Sequence, residues 1–185
     1  MEKQSECAEV CLLAPSEELT VRAQALVRKL DLPIAVHQVA LSDACAKAGE
    51  LIAAGAKVLI SRRGVKAVVE EKYSIPMVGI NISLSDYIPN IEQAVRLGSR
   101  VAFFGYQTVR DDVKTMCLLL KMDARYYTFQ DDADCEAAVR QALEDGVVLG
   151  IGGADTGRYS KLYGLEYLPV ENSDESLSNA MESAR

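Results

Sequence analysis

The sequence has no tryptophan and a single histidine, His37, and its 185 residues include only five prolines and five cysteines. Its apolar segments are short, and none reaches the roughly 18 residues of a membrane-spanning helix. The N-terminal segment MEKQSECAEV is polar, so we expect neither a signal peptide nor a membrane partner. Five cysteines without an export signal favour reduced thiols, and we therefore expect a cytoplasmic protein.

Metal and nucleophile chemistry has few candidate residues. His37 lies in an apolar-rich segment with no Cys/His cluster around it, so neither a zinc site nor a Ser-His-Asp triad is predicted. Cys7 and Cys11 are four residues apart on the first predicted strand and do not form a C-x-x-C redox pair. The acidic pairs near Asp111 and Asp131 are typical of helix starts rather than of a metal site. We expect no metal and no cofactor.

The charge balance excludes one class of partner. Asp and Glu number 27 against 20 Lys and Arg, which gives a net charge of −7. Binding to phosphate backbones needs a basic surface, so direct contact with nucleic acid is not expected. With 49% hydrophobic and 25% charged residues, the composition is that of a globular protein with a substantial core.

Short apolar runs alternate with helical patterns along the whole chain. The predicted strands are Glu9–Ala14, Pro33–Val39, Lys57–Ser61, Pro76–Ile80, Arg100–Gly105, Ala124–Phe129, Gly146–Ile151 and Glu166–Val170. The predicted helices are Ser16–Leu30, Ser42–Ala54, Gly64–Tyr73, Asn90–Leu97, Val109–Leu120, Ala133–Glu144, Thr156–Tyr163 and Leu177–Arg185. Ser16, followed by Glu17 and Glu18, is predicted to cap the first helix. Continuous apolar strands between helices are typical of parallel sheets covered on both faces.

The two halves of the pattern repeat. Each strand of the first half has a counterpart in the second half. Val10 corresponds to Val101 and Val36 to Tyr127, 91 residues later, while Val58 corresponds to Val148 and Val78 to Leu168, 90 residues later. The sequence therefore predicts an α/β fold of two similar lobes, each a four-stranded parallel sheet flanked by helices, related by an internal duplication of about 90 residues.

The repeat also suggests domain boundaries. We predict a first lobe over residues 1–83, a connecting helix over 84–99, a second lobe over 100–172 and a C-terminal helix over 173–185. A polar, Ser- and Asp-containing turn precedes each of the two helices, as expected of helix N-caps. Their placement allows an exchange in which each helix closes the other lobe.

Ligands of open parallel sheets bind beyond the carboxyl ends of the strands, and two facing lobes would form a cleft there. The residues that follow the strands are rich in Gly, Ser, Asn and Arg, a set suited to a polar or anionic small molecule. The candidate ligand-binding residues are Ser61, Arg62, Arg63, Gly64, Asn81, Ser83, Gly105, Tyr106, Gly152, Gly153, Asp155 and Thr156.

Two of these segments are open to more than one interpretation. Arg62 and Arg63 join a buried strand to a helix N-terminus, which favours anion binding, but they are also explained as solvated arginines at a turn. Gly150–Asp155 is not a dinucleotide fingerprint, because Asp155 replaces the third glycine, and it is not a P-loop. Its glycines permit either ligand approach or a tight turn, and Asp155 either contacts a ligand or caps a helix. Tyr106 either lines the cleft or lies on the surface.

The chain resembles the N-terminal sensor domain of the propionate-catabolism regulators, which are sigma-54-dependent bacterial transcription activators. The resemblance extends over nearly the whole chain. It is carried by the stretches VLISRxG from Val58, IPMV from Ile75, VAFFGY from Val101, VLGIGG from Val148 and ESL from Glu175. Their order and spacing carry the resemblance more than any single motif.

The resemblance implies a two-lobed sensor that binds a small anionic metabolite and controls an ATPase domain and a DNA-binding domain. The best-known inducer of the family is 2-methylcitrate, a tricarboxylate. In this sequence Arg63 replaces a glycine and Val65 a threonine of the family's Arg-Gly-Gly-Thr-like turn, which argues for a related rather than an identical ligand. Because Walker A and helix-turn-helix motifs are missing from it, we expect the sequence to be an excised sensor domain or half of a split regulator.

We therefore predict a ligand-sensing domain, not an enzyme, that can form a homodimer. One alternative is a two-lobed enzyme of the uroporphyrinogen-III-synthase type. A racemase is disfavoured, because it needs two opposed thiols and the cysteines do not follow strand ends at matching positions. The other alternative is an interaction module that dimerises without a ligand.

Overall fold

A computed structural model describes residues 8–185, so the predicted position of Cys7 lies outside the described part. The strands are β1 (Val10–Ala14), β2 (Ile34–Gln38), β3 (Val58–Ser61), β4 (Met77–Gly79), β5 (Val101–Tyr106), β6 (Ala124–Phe129), β7 (Leu149–Gly152) and β8 (Glu166–Pro169). The helices are α1 (Glu17–Leu30), α2 (Ala44–Ala53), α3 (Arg63–Glu70), α4 (Leu84–Leu97), α5 (Asp111–Leu119), α6 (Asp132–Glu144), α7 (Ala154–Tyr163) and α8 (Asp174–Ser183). A short 3-10 helix, Leu41–Asp43, precedes α2.

The chain divides into two compact units. The first contains the residues up to Ser83 together with Asn172–Arg185, and the second contains Leu84–Glu171. Each unit has one four-stranded parallel sheet, in the order β2-β1-β3-β4 in the first and β6-β5-β7-β8 in the second. The predicted α/β fold with two similar four-stranded lobes is confirmed.

The strand registers repeat between the units and correct the sequence-based pairing by one residue. Val10 lies opposite both Ile34 and Val58, and its counterpart Val101 lies opposite Ala124 and Leu149. The spacing between equivalent residues is therefore 90 for the second strand and 91 for the third, where we had predicted 91 and 90. By this register Arg62 corresponds to Gly153.

Helix α4 follows the strands of the first half but packs in the second unit, and α8 follows the strands of the second half but packs in the first unit. In the first unit, Leu177 and Met181 of α8 are fully buried in the cluster that contains Leu12 and Ile60 of the sheet. In the second unit, Ile91 of α4 packs in the cluster with Phe103 and Ile151. The first core therefore depends on α8, which follows the whole second unit in the sequence, whereas α4 directly precedes β5 of the sheet that it covers.

Helix α4 begins six residues before the predicted start at Asn90, because Pro89 does not interrupt it. Tyr87 and Ile91 are both buried, and their separation of four residues places them on one helix face, so the core contacts extend the helix across the proline. The predicted capping of α1 by Ser16 is confirmed, since the Ser16 hydroxyl accepts from the backbone N–H of Leu19 at 3.2 Å. None of the helices in residues 8–185 combines the length and hydrophobicity of a membrane span.

Candidate functional site

Ser61 ends β3 at the carboxyl edge of the first sheet. Its side chain is fully buried, and its hydroxyl donates to the backbone carbonyl of Leu13 at 2.6 Å. Its own carbonyl accepts from the backbone N–H of Ile80 at 2.8 Å. Ser61 thus ties the ends of β1 and β3 to the segment after β4, and it positions the residues that follow each strand.

Arg62 occupies the N-cap position of α3. Its backbone is extended (φ −68°, ψ 159°), and its side chain makes no capping hydrogen bond. Instead, Nε donates to Oδ1 of Asn172 at 2.8 Å. Asn172 is only 2% exposed. A buried amide oxygen therefore holds the guanidinium at the start of the helix.

The start of α3 combines two arginines with an exposed glycine. Arg63 is its first residue, and the first turn contains no acidic side chain. Gly64 is exposed, and a Cβ placed on it would meet no atom within 4 Å. The helix dipole and the orphan N–H groups of a first turn add to the positive potential of the two arginines.

Asn81 and Ser83 line a cavity of about 270 Å³ in the first unit, together with residues of α8. Ser83 Oγ lies 3.1 Å from Oγ of Ser176, and Asn179 and Ser183 complete the polar wall. The wall therefore offers hydroxyl and amide groups, which can both donate and accept hydrogen bonds. Asn172 follows the last predicted strand but was not among the twelve candidates, and Ser176 reaches this edge only because α8 returns to the first sheet.

In the second unit, Gly105 is required by a turn. A Cβ on Gly105 would lie 2.0 Å from the carbonyl oxygen of Thr108, and Gln107 adopts a left-handed conformation with φ 62°. Tyr106 is exposed, and its ring makes an edge contact with Phe129 at a centroid distance of 5.9 Å.

The glycines of Gly150–Gly157 surround the ring of Tyr167, which the sequence did not mark as important. A Cβ on Gly150 or Gly152 would lie 2.9 or 2.8 Å from atoms of Tyr167. The Tyr167 hydroxyl donates to the carbonyl of Gly153 at 2.5 Å and lies 2.5 Å from Oγ1 of Thr156. Burial raises the pKa of the Tyr167 phenol. Packing of Tyr167 therefore accounts for Gly150, Gly152 and Gly157, but not for Gly153, where a Cβ would meet no atom within 4 Å.

Asp155 does not cap α7, so the capping interpretation is wrong. The N-cap is Gly153, and no side chain makes the capping hydrogen bond. Asp155 lies in the first turn instead, where the helix dipole stabilises its charge. Since Gly153 corresponds to Arg62, the strand-to-helix turn after the third strand carries arginines in the first unit and a carboxylate in the second.

Three of the four described thiols are poorly suited to nucleophilic chemistry. Cys11, Cys117 and Cys135 are buried. Burial raises the pKa of the Cys117 thiol, and it raises the pKa of Cys135 to about 11. Within residues 8–185, no group of three or more His, Cys, Asp or Glu side chains is arranged to hold a metal ion.

Comparisons with known proteins identify one sequence family for this chain. The family model described as Propionate catabolism activator matches residues 28–185. No curated protein sequence gives a match. The crystal structure of an NtrC family transcriptional regulator from Clostridium acetobutylicum has a TM-score of 0.75 at 19% identity, covering 95% of this chain and 93% of that chain.

Two more distant structures share less of the geometry. A LacI-family transcription repressor from Corynebacterium glutamicum has a TM-score of 0.49 at 11% identity, covering 95% of this chain and 89% of that chain. An aspartate racemase homologue from Pyrococcus horikoshii has a TM-score of 0.41 at 11% identity, covering 96% and 99%. Since the family match spans most of the sequence, this chain belongs to the Propionate catabolism activator family, as the N-terminal sensor domain of a sigma-54-dependent transcription regulator.

Proposed function

We propose that this sensor domain binds a small anionic metabolite of the carboxylate type at the carboxyl edge of the first sheet. The observation that carries the proposal is the guanidinium of Arg62, which the buried side chain of Asn172 holds at the start of α3. The bound ligand then controls the ATPase and DNA-binding domains of the regulator, which acts in the cytoplasm.

The chemistry of this edge favours a carboxylate. A guanidinium presents a planar set of donors that matches the two oxygens of a carboxylate or phosphate. The helix dipole and the first-turn N–H groups of α3 add attraction for negative charge. Ser61 is engaged with Leu13, so its part in the site is to position Arg62, while Asn81 and Ser83 offer hydrogen bonds to hydroxyl or carbonyl groups of the ligand.

The proposed ligand belongs to the same chemical class as 2-methylcitrate, that is, a metabolite with more than one carboxylate group. Arg63 adds a second positive charge where the family turn has a glycine, which favours ligands with more than one acidic group. Closure of the two lobes over the ligand is part of the proposal. A ligand shifts such an equilibrium only by its difference in affinity for the open and closed states.

A regulatory role accounts for the chain better than catalysis. The buried thiols of Cys117 and Cys135 have raised pKa values, whereas a cysteine acid/base pair or nucleophile needs an accessible thiolate. Membership of a family of transcription activators supports the same conclusion.

A thermal-shift screen tests the proposal. The panel contains 2-methylcitrate, citrate, other di- and tricarboxylates, phosphorylated metabolites and aromatic acids. A ligand present at about 100 times its dissociation constant adds roughly 2.7 kcal/mol of stability. For a domain of this size, that corresponds to a rise in Tm of about 5 to 10 °C. We expect such a rise with at least one carboxylate, and a screen in which only phosphorylated compounds act, or in which no compound acts, would contradict the carboxylate assignment.

A further inference from the structure

The edge strand of the first sheet borders the cavity that Asn81 and Ser83 line. Strand β4 is the last strand of that sheet, and Val78 and Gly79 form part of the cavity wall. The remaining wall is one face of α8, which presents Ser176, Asn179, Ala180 and Ser183. Spacings of three and four residues place these side chains on the same side of the helix. Within residues 8–185, no lining residue carries a charge, so the cavity suits an uncharged polar group.

Gly79 directs both of its backbone hydrogen-bonding groups towards the open edge of the sheet. The N–H of Leu59 donates to the carbonyl of Pro76 at 3.0 Å, and the N–H of Ile80 donates to the carbonyl of Ser61 at 2.8 Å. Backbone groups of successive residues alternate between the two sides of a strand, so Pro76 and Ile80 face β3 and Gly79 faces away from it. Neither group of Gly79 on this side is hydrogen-bonded to a residue in 8–185. The cavity wall therefore offers a backbone donor beside a backbone acceptor.

The equivalent edge of the second sheet is built differently. Gly79 lies opposite Ser61 in the first sheet, and Pro169 lies opposite Gly152 in the second. Ser61 and Gly152 are the equivalent last residues of β3 and β7, so Gly79 and Pro169 occupy the same place in their sheets. Proline has no backbone N–H. The donor that Gly79 provides at the edge is therefore missing from the second unit.

The acceptor at the edge of the second sheet is already paired with a side chain. Nδ2 of Asn90 in α4 donates to the carbonyl of Pro169 at 3.0 Å. Helices α4 and α8 begin at Leu84 and Asp174, with the same spacing of 90 residues that separates the two edge residues. The counterpart of Asn90 is therefore Ala180, whose methyl group cannot form this hydrogen bond. A carboxamide occupies in the second unit the place that the cavity leaves open in the first.

We propose that the cavity beside β4 binds the primary carboxamide group of a small molecule, which donates an N–H to the carbonyl of Gly79 and accepts from the N–H of Gly79. A carboxamide carries a donor and an acceptor side by side, as this edge requires. Esters and ionised carboxylates offer only acceptors, so neither can pair with the Gly79 carbonyl. The contact repeats in the first unit the hydrogen bond that Asn90 makes in the second.

The dimensions of the site favour a small molecule over an added polypeptide strand. Strand β4 has only three residues, so a peptide that extended the sheet would find few backbone partners. The cavity has a volume of about 270 Å³, slightly below the range of about 300 to 1,000 Å³ that is typical of ligand sites. The cavity therefore holds the carboxamide end of a ligand whose remainder extends out of it.

This inference deepens the proposed function, because Asn81 and Ser83 belong to both sites. It rests on that function for the acidic part of the ligand, which is placed at Arg62, but not for the carboxamide contact with Gly79. The chemical class of the ligand is accordingly a carboxylic acid that also carries a primary carboxamide.

Two-dimensional NMR titration of the purified domain with butyramide tests the carboxamide contact without an acidic group. We expect the backbone amide signals of Gly79 and Ala180 to shift and to saturate. N,N-Dimethylacetamide is an isomer of butyramide that keeps the carbonyl oxygen but has no N–H, and we expect it to bind at least tenfold more weakly. Equal affinities of the two isomers, or no saturable shift with butyramide, would overturn the proposal.

Two variants copy the second unit into the first. Gly79→Pro removes the donor at the edge, and proline is accepted on edge strands. A Cβ at this position meets only side-chain atoms of Asn81 and Lys66, at 3.5 Å. Ala180→Asn places a carboxamide where α4 has Asn90. Each variant is expected to bind butyramide at least tenfold more weakly than the wild-type domain, and wild-type affinity in either folded variant would contradict the contact.

Glu182→Asn is the matched control for these variants. It adds the same carboxamide to α8 at an exposed position outside the cavity lining, so the affinity for butyramide should stay at the wild-type value. An equal loss of affinity in Glu182→Asn and Ala180→Asn would overturn the assignment to this cavity. The comparison of the two isomers uses the wild-type domain, so it decides the question even where a variant does not fold.

Butyrate separates this inference from the proposed carboxylate site. It has the shape of butyramide but only acceptor oxygens, so it should leave the amide signal of Gly79 unchanged and shift those of Arg63 and Gly64. A response of Gly79 to butyramide without a response of Arg63 to butyrate would support the carboxamide site and contradict the carboxylate site. A response of Arg63 to butyrate without a response of Gly79 to butyramide would overturn this inference and leave the proposed function in place.

Discussion

The Nε atom of Arg62 lies 2.8 Å from Oδ1 of Asn172, across a sequence separation of 110 residues. Arg62 begins α3, and Asn172 is the first residue of the segment that returns to the first unit. The contact therefore joins the proposed anion site to the start of the segment that contains α8.

Substitution of Asn172 separates two roles of this contact. Asn172→Ala removes a buried hydrogen bond to a charged group and is expected to cost about 1 to 3 kcal/mol of unfolding free energy. Asn172→Asp keeps an oxygen acceptor but adds a negative charge beside Arg62. We expect Asn172→Asp to bind a carboxylate more weakly than Asn172→Ala does, because the new charge competes for the guanidinium.

Urea denaturation measures the stability of both variants, and calorimetry measures their affinity for the carboxylate that the screen selects. If Asn172→Asp binds the carboxylate as tightly as the wild-type domain, Arg62 does not carry the ligand charge.

Helix α8 is expected to be essential to the first core. Met181 is fully buried against the first sheet, so Met181→Ala removes a core side chain and should cost about 2 to 5 kcal/mol. Glu182→Ala, at the exposed neighbouring position, should change stability by less than about 0.5 kcal/mol. Amide hydrogen exchange gives the sharper readout, because the loss of protection in Met181→Ala should include β1 and β3. Unchanged protection there would show that α8 does not stabilise the first sheet.

The two glycines near Tyr167 should respond differently to alanine. In Gly150→Ala, the new methyl group meets Tyr167 and Phe104 at 2.9 and 3.0 Å, and such overpacking costs about 1 to 3 kcal/mol. In Gly153→Ala, the methyl group meets no atom within 4 Å, and the backbone is extended, with φ −84°. The smaller entropy of the unfolded chain then offsets the weaker N-cap, so stability changes by less than about 0.5 kcal/mol. Thermal unfolding that ranks the two variants in the opposite order would contradict the packing of Tyr167.

Cys135 should make stability depend on alkaline pH. Its pKa is raised from 9.0 to about 11 in the folded domain, mainly by burial. The folded state therefore favours the neutral thiol, and this contribution is complete below pH 9 and is lost as the pH rises towards 11. Urea unfolding at pH 8 and pH 10.5 should show a steeper loss for the wild-type domain than for Cys135→Ala. Parallel losses in the two proteins would mean that Cys135 titrates normally.

Local signals in the sequence were sufficient for most of the fold. Apolar runs between helical patterns located the eight strands, and a serine followed by two glutamates located the start of α1. The start of α4 was misplaced, because its N-terminal part is helical through the burial of Tyr87 rather than through local preference. The local helix propensity around Pro89 did not indicate that buried contacts would keep this segment helical.

The site was only partly predictable for a related reason. The position of Arg62 after a buried strand indicated an anion site, but its partner Asn172 is 110 residues away and carries no local motif. Gly150 and Gly152 were equally consistent with a ligand site and with a tight turn. In the structure they lie beside the ring of Tyr167, which belongs to the neighbouring strand β8. Contacts of this kind depend on strand order, which a single segment of sequence does not encode.

The most direct test of the central claim is the dissociation constant of the selected carboxylate for the wild-type domain, Arg62→Ala and Arg28→Ala. Arg28 is an exposed arginine in the last turn of α1, so its removal changes the net charge equally without touching the proposed site. Loss of the charged partner of a bound ion costs about 2 to 5 kcal/mol, which predicts at least about thirtyfold weaker binding in Arg62→Ala. Arg28→Ala should retain the wild-type affinity, and equal affinities in all three proteins would contradict the account.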